Sequence, residues 1–329
     1  MQSVLNDNPY IKSLLQLNLQ YPDRRAFHQA AEPLLLQMGK DKSFIDAVIQ
    51  RNFMDKGYIK QKWSLYNIPF FFVYETKDFN LKIHLFPALA TKEPEIAASC
   101  IHHHNNYMLS SFAFHGSGYE SFLFHKNYDW NELSKIAKFS VRENFHQKDR
   151  PVSFVDAWEP HLVFNPTALS ATLILWTPDK KRKSDNLRQM PVLKFIKKPL
   201  RAVINALGLS DNIGIAAKKT YQFYPKDNQI AGIEEDDFFE PTRNAVGAKV
   251  DIYSIQTVFK FIEEGNYLDK RFLTENREKL PAYYQPFIES YLAGKTIAET
   301  FAKAEINIPQ KHFSKTDVLA ATDSQSNND

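Results

Sequence analysis

IHHHNNYMLSSFAFHGSGYESFLF, residues 101–124, joins a run of three histidines to two apolar stretches of strand length, with a glycine turn at Gly116 to Gly118 between them. On a strand, residues two apart share a face, so the spacing predicts that His102 and His104 project together while His103 faces the other way. A metal ion needs at least one more donor from elsewhere in the fold. His161, which opens HLVFN (residues 161–165), is the candidate. Neutral imidazoles suit iron, zinc, copper or nickel, and a three-histidine face leaves positions for water, oxygen or substrate. The bland alternative is a solvated strand edge, with His161 an ordinary hydrogen-bonded ring.

Outward from this stretch the texture is β-rich. PFFFVYE (69–75), NLKIHLF (80–86), ESFLF (120–124) and ATLILW (171–176) are short apolar segments separated by Pro, Gly, Asp and Asn, a series that predicts a sandwich or small barrel over 64–180. Residues 1–63 read as an N-terminal helical cap, with Ser43 as N-cap and Phe44, Ile45, Val48, Ile49 and Phe53 at helical spacing. TPDKKRKSD (177–185) marks a solvated boundary. Residues 181–315 read as a helical region: Ile252, Ile255, Val258, Phe259 and Ile262 form one face ending before Gly265, and Phe287, Ile288, Tyr291 and Leu292 form a second. Within it, Lys194, Lys197, Lys198 and Arg201, around Pro199, suit either a segment packed on the barrel with snorkelling lysines or an amphipathic helix at a membrane surface. Residues 316–329, ending in TDSQSNND, are expected to be a disordered tail.

With 41 basic and 38 acidic residues among 329, the charge of +3 is too balanced for a nucleic-acid footprint. The most apolar run, Ile68 to Tyr74, falls far short of the roughly 20 residues of a membrane span. The first residues lack the basic and apolar regions of a secretory signal. One cysteine, Cys100, excludes an intrachain disulfide and suits a reducing compartment, so the expectation is a cytoplasmic protein without a membrane span or nucleic-acid partner.

Three motifs in order resemble the cupin superfamily and, within it, the cysteine dioxygenase group of thiol dioxygenases, over roughly residues 68–178. Residues 101–124 look like that family's first metal strand, with His-x-His, Asn106 and the glycine turn. HLVFNPTALSATLILWTP (161–178) is similar to its second motif, and FNLKIHLF (79–86) resembles the strand entering the site. The resemblance implies a mainly β protein with appended helices (α+β), built on a cupin-type β-barrel or jelly roll. It also implies Fe(II), O2 and a small chelating substrate. General cupins place a glutamate shortly after His-x-His; Met108 and Leu109 stand there, which favours three histidines alone. No arginine occurs between Arg51 and Arg142 to take a cysteine carboxylate. Trp176 replaces the family's supporting tyrosine, Ile174 its helper histidine, and Leu109 the cysteine that some members crosslink. These departures argue against cysteine as substrate.

Other residues have a candidate role beside an ordinary one. Asn106 is a candidate hydrogen-bond donor to a ligand histidine. Tyr107, Tyr119 and Trp176 would shape an apolar substrate pocket or simply pack across strands. Lys82 and His84 share the strand face opposite Phe79, Leu81, Ile83 and Leu85, where they would bind an anionic substrate or meet solvent. Cys100 has the parity of His102 and would be a soft ligand or a plain buried thiol, and Glu159 could add a carboxylate. His115 and His125 flank the glycine turn and its strand. The expected function is an Fe(II) dioxygenase acting on a small molecule and O2. The alternatives are a zinc or nickel hydrolase or isomerase, and a non-enzymatic ligand-binding cupin whose helices dock a partner.

Overall fold

Polar side chains set the starts of the first three helices in the computed structural model, which describes residues 5–55, 68–90, 95–181, 220–234, 252–301 and 312–326. Asn8 accepts from the Tyr10 N–H ahead of α1 (Pro9–Gln20), and Asp23 from the Ala26 N–H ahead of α2 (Arg24–Lys40). Asp41 accepts from Ser43 and Phe44 at α3 (Lys42–Met54), so the cap stands two residues before the expected Ser43. The apolar stripe expected on α3 is buried, from Phe44 to Phe53.

Ten short strands follow: β1 (Phe70–Glu75), β2 (Asn80–Phe86), β3 (Tyr107–His115), β4 (Glu120–Phe124), β5 (Asp129–Asn131), β6 (Ile136–Lys138), β7 (Val141–His146), β8 (Ser153–Val155), β9 (His161–Val163) and β10 (Ser170–Pro178). A hairpin, β11 (Tyr221–Lys226) and β12 (Gln229–Glu234), precedes α4 (Ile252–Glu264), α5 (Lys270–Asn276), α6 (Gln285–Leu292) and α7 (Lys315–Ser326). The fold is therefore antiparallel β-sheet with several helices. Among the described residues, no helix is long and apolar enough to cross a membrane.

The strands form three sheets, ordered β1-β2-β10-β3-β8, β11-β12-β6-β5 and β7-β4-β9. This corrects the expectation of one closed barrel. Beside the histidines, Asn105 and Trp158 hold left-handed backbone at φ 53° and 61°. Pro160 has no N–H to donate, and pairing there shrinks to the isolated bridge between His102 and His161. Two further readings are corrected. The 181–315 region is not wholly helical, because β12 pairs with β6 through Ile230 and Ala231. The tail from 316 is largely α7, with Val318 and Ala321 in the core. The basic segment around Lys194 to Arg201 lies outside the described residues.

One core lies between the outer face of the five-stranded sheet and the helices, where Leu81, Ile83, Leu173 and Leu175 meet α1–α6 residues such as Phe27, Ile49 and Phe259. A second gathers Cys100, Phe122, Phe164, Phe223 and Val318. A smaller third core lies between sheets, where Leu109, Val155 and Ile174 face Leu123 and Phe145, with Trp176 packed beside them. The five-stranded sheet thus has a helix-covered outer face and an inner face turned toward β4 and β7.

His28 pins α2 to the outer face. Its Nδ1 lies 2.8 Å from Ser110 Oγ and its Nε2 2.9 Å from Thr177 Oγ1, with the ring 1% exposed. Burial, reinforced by the charge of Arg24, lowers its pKa to about 3. An unfolded chain takes up a proton at this ring below about pH 6.5, whereas the folded chain refuses it until about pH 3. The contribution of His28 is therefore complete above the unfolded value and is lost as pH falls through that window, at up to about 1.4 kcal/mol per pH unit. Urea midpoints measured from pH 7.5 to 4.5 should fall less steeply in His28→Gln than in the wild type; parallel slopes would exclude this origin.

Candidate metal centre

The segment before β3 is threaded between two strands. Ile101 exchanges both backbone hydrogen bonds with Phe223 of β11, each 2.8 Å. His102 exchanges both with His161 of β9, at 3.1 and 2.9 Å. Beyond His102 the chain leaves extended pairing and turns, the Tyr107 N–H donating to the His104 carbonyl at 3.0 Å. The expected single strand carrying both histidines is thus an isolated bridge at His102 and a loop residue at His104. His102 and His104 nonetheless share a side, because the His103 ring between them faces Trp158.

The three rings converge. Centroids lie 5.0 Å apart for His102 and His104, 4.5 Å for His102 and His161, and 4.4 Å for His104 and His161. One ligand atom from each lies within 4.8 Å of the others. His102 Nδ1 is 2.8 Å from the Cys100 carbonyl and His161 Nδ1 is 3.2 Å from the Glu159 carbonyl. A carbonyl accepts only, so each Nδ1 carries the proton and each Nε2 keeps its lone pair. His102 Nε2 stands 3.2 Å from His104 Nε2. Two nitrogens on one tetrahedral ion at bonds of ~2.05 Å stand about 3.4 Å apart, so this pair already has the spacing of a shared ion.

Electrostatics favour the neutral rings that a metal needs. Desolvation pushes His104 and His161 well below the ordinary histidine range, and repulsion from neighbouring imidazoles adds to it. Burial likewise takes His103 down to about 4, but its ring packs on Trp158 at 5.3 Å and its Nδ1 accepts from the Asn105 N–H, outside the cluster. His104 Nδ1 is buried without a hydrogen-bond partner. The converging nitrogens have no acid among them, so the donor set fits a transition metal.

Trp176 covers His104 with ring centroids 4.3 Å apart, and Tyr107 lies 6.5 Å from Trp176. Tyr119 is deeper, its hydroxyl 3.3 Å from Ser111 Oγ and its ring against Phe86. Asn106 donates to Asp179 at 3.5 Å rather than to a ring nitrogen. Cys100 supplies its carbonyl to His102, while burial raises its thiol pKa and places it in the second core. The Glu159 carboxylate binds Arg142 at 2.8 Å and accepts from the Asp156 N–H at 2.8 Å, which fixes the chain just ahead of His161. His115 pairs with Glu264 at 3.1 Å, and His125 lines a surface hollow with Lys126, Arg142 and Asp156. Lys82 and His84 lie on the inner face of β2, opposite Ile174 and Thr172 of β10. Sequence reasoning missed two neighbours on that face, Asn80 and Thr172, whose Oδ1 and Oγ1 are buried without partners. Their parity with Lys82 and Trp176 was the available signal.

No protein-family model matches the chain, and no curated protein matches it. Solved structures give partial likenesses. The TT1209 protein of Thermus thermophilus is 14% identical over 38% of this chain and 94% of its own, with a TM-score of 0.23. The Schizosaccharomyces pombe Cnp3 cupin domain is 13% identical over 36% and 63%, at 0.22. An oxalate decarboxylase of Lactobacillus farciminis, in a formate complex, is 9% identical over 46% and 40%, at 0.22. The matches thus span less than two thirds of the Cnp3 domain and of the decarboxylase. Likenesses at this level define neither a family nor an activity.

Proposed function

We propose that this protein is a metal-dependent oxygenase of the non-haem type, in which His102, His104 and His161 hold Fe(II) and a small chelating substrate is oxidised by O2. The observation that carries the reading is the convergence of three imidazoles within 4.8 Å, two of them with Nδ1 committed to a backbone carbonyl. Bound there, ferrous iron would supply electrons to oxygen, and three neutral donors would leave its 2+ charge free to attract an anionic substrate. The chain's own residues orient and exclude. The Cys100 and Glu159 carbonyls hold two rings in one tautomer, and Trp176 shields His104 from water.

The same all-nitrogen donor set suits zinc, which makes a hydrolase or isomerase the second reading. Anaerobic purification, loading with Fe²⁺ or Zn²⁺, elemental analysis and oxygen-electrode assays against small phenolic acids, diketones and thiols separate the two. The proposal expects one iron per chain and oxygen uptake with at least one acid. Stoichiometric zinc that iron cannot displace would favour the second reading, and a chain that retains no transition metal would overturn both.

A further inference from the structure

The inner face of β2 and β10 carries a strip of polar groups, two of which have buried oxygens without a hydrogen-bond partner among the described residues. Thr172 is fully buried, and its Oγ1 makes no hydrogen bond. Asn80 Oδ1 is likewise buried and orphaned, directly across from Trp176. Between them on β2 stands Lys82, opposite Ile174. Its ammonium lies 4.7 Å from the Phe70 ring and 5.3 Å from the Phe72 ring, and among the described residues no carboxylate lies within ion-pair distance. His84 continues the strip opposite Thr172, its ring between Phe70 at 5.7 Å and Phe86 at 6.3 Å. Buried polar atoms are nearly always paired, and a cation partly buried over aromatic faces, where desolvation outweighs the charge of Glu75, is costly. Thr172, Lys82 and His84 stand as donors along one strip beside the three histidines, and an anion would accept from all three, whereas the Asn80 oxygen needs a donor.

We propose that this strip binds the carboxylate of a small organic acid, with Lys82 as counter-charge and Thr172 and the neutral His84 ring as further donors. The strip runs toward the three histidines, since Trp176 packs on His104 and lies two residues from the level of Lys82 along β10. At about 3.3 Å per residue, that offset is roughly 7 Å, the span of one aromatic ring or a short carbon chain. The acid thus carries its metal-binding atoms at the end remote from its carboxylate. Burial lowers the pKa of the Lys82 amine and of His84, whose value falls to about 3, so His84 acts as a neutral N–H donor while the lysine supplies the charge. The carboxylate subsite itself stands without a metal; only the destination of the acid's far end rests on the function proposed above.

The test uses metal-free full-length protein and two probes of equal shape, 4-hydroxybenzoate and its neutral analogue 4-hydroxybenzamide, titrated by calorimetry. Charge-assisted hydrogen bonding predicts that the wild type prefers the acid by about tenfold or more. Lys82→Met should bring the preference to within about twofold, and Lys82→Arg should keep most of it. Thr172→Val should weaken the acid while leaving the amide nearly unchanged. Equal affinities in the wild type, an undiminished preference in Lys82→Met, or no binding of either probe at millimolar concentration would overturn the proposal. Circular dichroism of Lys82→Arg and Thr172→Val guards against a misfolded Lys82→Met variant. Preference for the acid in a protein that takes up no metal would retain the subsite and discard the oxygenase; metal uptake without preference would do the reverse.

Discussion

The His161→Ala variant is expected to lose about a thousandfold in metal affinity, some 4 kcal/mol, while keeping its fold. The affinity falls because one of three converging donors disappears and no carboxylate in the cluster can replace it. The fold survives because what joins the two segments is backbone: the bonds between the N–H and C=O groups of residues 102 and 161 do not involve the imidazole. Competition with a chelator of known affinity measures the first effect and the melting temperature of metal-free protein the second. His103→Ala is the control, expected to change metal affinity by less than about threefold, since its ring faces Trp158. Equal losses in the two variants would remove His161 from the site.

Gly116→Ala should be the most damaging glycine-to-alanine change among the described residues. Gly116 sits at φ +77°, where an L side chain is strained, and a Cβ there would stand 1.9 Å from the Leu169 carbonyl oxygen. That oxygen belongs to the backbone entering β10, which also carries Thr172 and Trp176, so relief requires moving the central strand of the five-stranded sheet. A loss above about 4 kcal/mol follows, enough to unfold many domains of ordinary stability. Gly294 supplies the contrast: at φ +67° with nothing within 4 Å of the added carbon, Gly294→Ala should cost about 1–2 kcal/mol from conformation alone. Thermal melts of the two variants decide the matter, and comparable stabilities would sink the argument.

Much of this was legible locally. Alternation in FNLKIHLF and the short apolar run ATLILW, bounded by Asp, Asn and Pro, marked β2 and β10, and the alternation put Lys82 and His84 on the face opposite Leu81 and Ile83. Spacing placed His102 and His104 on one side and His103 on the other, as found, although the only ladder pairing there is the isolated bridge at His102. The β11–β12 hairpin was missed although Asp227 and Asn228, at φ 52° and 55°, are residues that a two-residue turn favours between YQFYPK and QIAGIE. Polar composition disguised α7, whose start is marked by a reciprocal cap: Asp317 Oδ2 accepts from the Ser314 N–H at 2.7 Å and Ser314 Oγ from the Asp317 N–H at 3.2 Å. The division into three sheets was not legible, because it depends on pairing between distant segments that no local pattern encodes.

The paired main chains of His102 and His161 also bear on how an ion would come and go. A pocket whose two walls are already laced together does not have to be assembled by its guest, so little of the association energy is diverted into ordering polypeptide. Loading and stripping then become reversible events on an intact scaffold, and chelation yields a recoverable apoprotein rather than a denatured chain.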